Sequence, residues 1–149
     1  MDALNAGGET LPGIDYTQIY TRTDDVAIPN FDEANGVSSL RTGDGNKVNI
    51  ATQDICLTNT ADHFLVGSSD AVGFAIVSDA LAHPGVASVE RLQALTPGLC
   101  LTPFMPGVDP LMFPINFATK MMSTFAQSVT LQPKSTEEPA LRCYAGGEC

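Results

Sequence analysis

Near the start of the chain a run of β-branched and aromatic residues is followed by one of alternating hydrophobic and polar residues, and both then give way to a spacing of three and four. Residues 16–23, Tyr-Thr-Gln-Ile-Tyr-Thr-Arg-Thr, are rich in β-branched and aromatic types and predict a strand ended by Asp24-Asp25. Residues 47–52, Lys-Val-Asn-Ile-Ala-Thr, alternate and predict a second strand. Between them Pro29, Asn35-Gly36, Gly43 and Gly45 mark a long loop over 29–46. Residues 54–67 read as another loop, holding Cys56 and His63. Helical spacing follows: Ala71, Val72, Ala75, Ile76 and Ala80 share one face of a helix expected over 70–82. Ser69 is its expected cap, Asp70 suits its first turn, and Pro84-Gly85 stops it. A short helix is expected over 86–94, ended by Thr96-Pro97-Gly98. Four prolines argue against any regular element over 103–114. Residues 115–128, with Phe117, Met121, Met122 and Phe125, predict a last helix, and a polar tail follows from Gln132.

Two strands make a poor sheet alone, because one pair rarely stands by itself in water. Each predicted strand is followed by a long loop rather than a tight hairpin turn, and helices come after the second. That order suits the last strands of a larger, mostly parallel sheet. The expected fold class is therefore α/β, with residues 1–149 forming the C-terminal portion of one domain. Residues 1–12 are polar and Gly-rich, lack the basic and apolar regions of a signal peptide, and do not read as the start of a domain.

Composition narrows the function classes. The chain has 149 residues, 44% hydrophobic and 16% charged, which is a globular rather than a disordered profile. Seven Lys plus Arg against 17 Asp plus Glu give a formal charge of −10, and the cations are scattered. Such a chain repels phosphate backbones, so nucleic acid is not an expected partner. No stretch approaches the roughly 20 apolar residues of a membrane-spanning helix. The four cysteines, Cys56, Cys100, Cys143 and Cys149, contain no C-x-x-C pair and suit two disulfides in an oxidising compartment. Three pairings are possible.

Two positions stand out chemically. Asp24-Asp25 lies just past a predicted strand, where open α/β sheets place their ligand crevices. A solvated acidic turn is the competing reading. His63, beside Asp62, is one of two histidines and lies in the loop after the second strand, where a neutral imidazole can act as general base. Its competing reading is a surface histidine near a helix start. His83 precedes Pro84 at an expected helix end and reads as structural. In α/β-hydrolases the triad runs serine, then acid, then histidine, and Asp24 and His63 occur in that order, each after a strand. No Gly-x-Ser-x-Gly is present, and the clusters at Ser38-Ser39 and Ser68-Ser69 follow no strand into an elbow, so the nucleophile is not in this sequence.

The segment Ile19-Tyr20-Thr21-Arg22-Thr23-Asp24-Asp25-Val26-Ala27-Ile28-Pro29 resembles the acid-bearing strand and loop of secreted α/β-hydrolase lipases related to yeast lipase B and of similar bacterial triacylglycerol lipases. The segment from Ile55-Cys56 to Asp62-His63 resembles their histidine loop, and the tail Arg142-Cys143-Tyr144-Ala145-Gly146-Gly147-Glu148-Cys149 resembles the cysteine-containing end of the bacterial members. The resemblance covers most of residues 10–149 and is strongest over 16–67. It implies an α/β-hydrolase fold, Asp24 as the acid rather than Asp25, His63 as the base, and disulfides Cys56–Cys100 and Cys143–Cys149. The tail loop is much shorter than in yeast lipase B. It further implies a secreted lipase or esterase acting on esters or acylglycerols without cofactor or metal, whose N-terminal half supplies the serine and the oxyanion donors.

The Phe- and Met-rich stretch over 104–125 suits either an acyl channel or flap at a lipid surface, or packing against that N-terminal half. A non-catalytic secreted binding module held by disulfides is the alternative function. A metal site from Asp24, Asp25, Asp62 and His63 has no supporting ligand spacing.

Overall fold

β-Branched Thr17 and Ile19 with aromatic Tyr16 and Tyr20 give β1 (Asp15–Tyr20), and Val48 and Ile50 at alternate positions give β2 (Asn46–Ala51). In the computed structural model, which describes residues 7–130, 136–137, 140, 142–145 and 147, these two strands pair in parallel, from Asp15 opposite Asn46 to Tyr20 opposite Ala51. A parallel pair needs a long crossover, supplied here by residues 21–45. The chain divides into two compact units, one of them Gly7–Gly107 and the other including the helical segment after Val108.

In Gly7–Gly107 the crossover is irregular but well tied. The Asn49 side chain accepts from Leu40 N at 2.8 Å and donates to Leu40 O at 2.9 Å, pinning the loop to β2. The Glu9 carboxylate accepts from the backbone N–H of Arg41 and Thr42 at 2.6 and 2.8 Å. Thr10 and Gly43 form a parallel bridge so close that a Cβ on Gly43 would lie 2.2 Å from Thr10 O, and Gly43 has φ +92°. Only glycine meets both demands.

β2 runs directly into α1 (Thr52–Ile55), and α2 (Leu65–Ser68) follows the His63 loop. Residues 54–67 are therefore not all loop as the sequence predicts, because four-residue helices carry no periodic signal. Two carboxylates set these turns: Asp54 accepts from Ala51 N at 2.9 Å, and Asp62 accepts from Phe64 N and Leu65 N at 3.0 and 2.9 Å.

α3 (Ala71–Ala82) is capped by Asp70, not Ser69: the Asp70 carboxylate accepts from Gly73 N at 2.7 Å, while Ser69 is buried and its carbonyl accepts from Met105 N. Gly73 is tightly placed, since a Cβ there would approach Val66 O to 2.3 Å. α4 (Val89–Gln93) is shorter than the expected 86–94 because Ala87 N bonds to Thr17 Oγ1 on β1 and Ser88 caps the helix by accepting from Arg91 N. The core gathers Ile50 from β2, Ile55 and Cys56, Val72 and Ile76 from α3, and Ala87 and Leu92 around α4. Full burial of each large aliphatic side chain contributes about 2 kcal/mol. Cys56 and Cys100 are joined by a disulfide, which closes the core under α4.

The second unit contains α5 (Met112–Thr130). It begins three residues before the expected 115, within the proline-rich stretch predicted to be irregular. Asp109 accepts from Leu111 N and Met112 N, and Pro114 sits in the first turn, where no backbone donor is required. Phe113 and Phe117 stack one turn apart, with ring centroids 5.5 Å from each other. The expected Cys143–Cys149 bridge involves Cys149, which lies outside the described residues. The fold is thus mixed α/β: a two-stranded parallel sheet, five α-helices and a disulfide among the described residues. No helix among them is long and apolar enough to cross a membrane.

Candidate active site

The predicted first strand stops at Tyr20 rather than Thr23, because the next residues turn toward the His63 loop. Thr21 Oγ1 and Thr23 Oγ1 lie 2.7 and 2.8 Å from the same acceptor, Ala61 O. Thr21 is completely buried. Asp24 then forms a tight turn in which its Oδ1 accepts from Val26 N at 2.9 Å and Ala27 N at 2.7 Å.

These contacts set Asp24 against His63. The imidazole Nδ1 lies 3.1 Å from Asp24 Oδ1 and 3.1 Å from Oδ2, across 39 residues of sequence. The Asp24 side chain is 6% exposed, and that of His63 is 40% exposed. Asp25 is exposed, so the fold turns Asp24, not its neighbour, to the ring. Burial alone would raise the Asp24 carboxyl pKa. The backbone donors of Ala27 and Val26, and then His63, together take it below the ordinary aspartate value. An ionised carboxylate at Nδ1 keeps the ring proton there and leaves Nε2 as the basic nitrogen. The Phe64 ring meets His63 edge-on at 5.3 Å and limits the ring's freedom.

The other singled-out residues fall elsewhere. Asp62 caps α2. Ser38 Oγ accepts from Asn30 Nδ2 at 3.0 Å, and Ser68 Oγ donates to Phe64 O at 2.6 Å. No group of three or more potential metal ligands occurs among the described residues. His83 ends α3, its Nδ1 3.0 Å from Asp79 O and 3.3 Å from Asp79 Oδ1.

Sequence reasoning missed the supports. Gln53, Thr21 and Thr23 join the two loops, and Arg22 donates through Nη2 to Asp54 Oδ1 and through Nε to Phe31 O. It also missed the buried Asp79, whose carboxylate accepts two bonds from Arg91 at 2.7 and 2.6 Å and one from Ser88 N at 2.9 Å. The only signal for that pair was a charged residue on the inner face of α3.

An apolar cavity of about 740 Å³ lies in the same unit, lined among others by Phe74, Ala75, Leu92, Leu95, Leu99 and Phe104. His83 and Arg91 stand at its wall, whereas Asp24 and His63 do not line it. Comparison with models of known protein families and with curated proteins finds no match.

Proposed function

We propose that this chain supplies the acid and the base of a serine carboxylic-ester hydrolase, as the C-terminal portion of an α/β-hydrolase fold. The supporting observation is the His63 Nδ1 to Asp24 carboxylate contact, built by two loops that each follow a strand of a parallel pair. In the reaction, His63 Nε2 removes the proton of a serine hydroxyl as that oxygen attacks the ester carbonyl. The imidazolium, stabilised by Asp24, then protonates the leaving alkoxide. Water repeats the cycle on the acyl-enzyme and releases the acid. The serine and the oxyanion donors come from a segment outside this sequence. Esters of fatty acids, acylglycerols included, are the proposed substrates, and a disulfide is compatible with the extracellular location this implies.

The test is hydrolysis of a short-chain p-nitrophenyl ester by the 149-residue chain, alone and with a Gly-x-Ser-x-Gly segment supplied in trans. Background rates alone and activity on assembly, lost in His63→Ala, are expected. Activity of the lone chain that His63→Ala abolishes would keep the hydrolase and move the nucleophile into this sequence. Hydrolysis that survives His63→Ala would overturn the reading.

The cavity favours one second reading, a disulfide-tied module that binds an apolar ligand, because its volume is in the range of small-molecule sites and the acid–histidine pair lies outside its lining. A ligand-dependent rise in melting temperature that Ala75→Phe removes, while His63→Ala leaves it, would favour that module.

A further inference from the structure

The acid loop and the base loop belong to different strands, so something must hold their spacing to within a fraction of an ångström. Thr21 and Thr23 reach from the acid loop to Ala61 O, and a side chain that belongs to neither loop bonds to both. Gln53, the second residue of α1, is 9% exposed and sits between residues 21–22 and residue 59. Its Oε1 accepts from Arg22 N at 2.9 Å. Its Nε2 donates to Thr21 Oγ1 at 3.0 Å and to Asn59 O at 3.0 Å.

The amide can face only one way. Arg22 N–H is a donor and demands the oxygen, whereas Asn59 O is an acceptor and demands the nitrogen. A flipped amide would oppose donor to donor and acceptor to acceptor. Every polar atom of the group is therefore engaged, and the chain it completes is continuous. It runs from Arg22 N through Gln53 to Thr21 Oγ1, three residues before Asp24, and from there to Ala61 O, two residues before His63. The adjacent Asp54 adds a second hold on the same residue through the Arg22 guanidinium.

We infer that Gln53 is a positioning residue, a clasp between the Asp24 loop and the His63 loop that makes the imidazole carry its proton on Nδ1. It does not touch the reacting atoms. The inference rests on the reading of Asp24 and His63 as a working pair, and it adds the device that sets their register.

The experiment reads the tautomer of His63 by ring-nitrogen NMR shifts in the full chain, at a pH where the ring is neutral. Wild type is expected to give a single Nδ1-protonated signature. Asp24→Ala and Gln53→Met are each expected to give a mixture with the Nε2-protonated form, while Gln53→Met still melts cooperatively. A wild-type ring protonated on Nε2 would sink the pair, and the clasp with it. A wild-type Nδ1 signature that Asp24→Ala disturbs and Gln53→Met does not would sink the clasp alone, leaving Gln53 as a structural amide. If Gln53→Met does not fold, Gln53→Glu keeps the length and the acceptor for Arg22 N while replacing the donor to Thr21 Oγ1 and Asn59 O by an acceptor, and the same two outcomes decide the matter.

Discussion

The molecule holds two histidine–aspartate pairs, and they are instructive side by side. His63 meets Asp24 and His83 meets Asp79, and in both the carboxylate side chain is almost fully covered, at 6% and 7% exposure. Both rings are partly open, at 40% and 46%. Burial does not separate them; the other partners of each carboxylate do. Asp79 is committed to Arg91 through two charge-assisted bonds, which hold its carboxyl down at about 2 against the desolvation of burial. His83 instead directs Nδ1 to a backbone carbonyl of its own helix, the behaviour of a helix C-cap. Among the described residues Asp24 bonds only to backbone N–H groups besides His63, so no cation among them competes with the imidazole for its charge. A guanidinium occupies the Asp79 carboxylate, whereas the Asp24 carboxylate is left to the imidazole and backbone donors.

The largest expected effect that separates the pairs is catalytic. In the proposed hydrolase, Asp24→Asn is expected to lower the turnover of a p-nitrophenyl ester about 10⁴-fold, by analogy with a triad that holds the wrong tautomer. Asp79→Asn leaves the rate unchanged and lowers the melting temperature. Equal losses of rate from the two substitutions would erase the distinction.

Next comes the covalent tie of the His63 corner. Cys56 and Cys100 close a span of 44 residues, and removing that closure in Cys56→Ala/Cys100→Ala is expected to destabilise by about 4 kcal/mol on chain-entropy grounds. Denaturant midpoints of the variant against wild type measure it. A change under about 1 kcal/mol would mean that hydrogen bonds alone hold the corner.

The third effect is a pH dependence at the other pair. The Asp79 carboxyl has a lower pKa folded than unfolded, so it contributes stability that is present above the ordinary aspartate value near 3.8 and is lost as pH falls toward about 2. The lowered carboxyl of Asp24 works in the same direction. Arg91→Met is expected to flatten the fall in melting temperature between pH 4 and pH 2, and an unchanged slope would show that Arg91 does not hold Asp79 down. The smallest effect is at His83. His83→Gln is expected to change stability by no more than about 0.5 kcal/mol and to leave the rate of the proposed hydrolase alone, since the ring is a half-exposed cap.

Local rules carried the sequence reading a long way. β-Branched and aromatic composition located β1 to within one to three residues at its ends, alternation located β2 to within one, and the three-and-four spacing located α3 with its end before Pro84. The short helices α1 and α2 were invisible, because four residues hold barely one turn and no period. Ser69 was the expected cap, yet Asp70 does the capping. Which of two adjacent capping residues adopts the extended backbone depends on the Ser69 O to Met105 N bond, a contact with a distant segment. The start of α5 was misjudged for a different reason: prolines were read as breakers, although a first-turn proline loses no hydrogen bond.

What the sequence determined by itself is the order of elements and the inventory of chemistry: two β-rich runs, an aspartate after the first, a histidine after the second, one amphipathic helix beyond, and four cysteines. These follow from rules that act within a few residues, where side-chain periodicity, turn residues and caps decide the backbone. The tertiary structure alone decided that the strands pair in parallel, that Asp24 and not Asp25 turns inward, and that Asp79 belongs to Arg91. It alone made an unremarkable Gln53 the hinge pin of two loops. Those outcomes depend on hydrogen bonds between groups 6 to 39 residues apart, whose directions exist only once the core of Ile50, Val72, Ile76 and Leu92 has fixed the strands and helices in space.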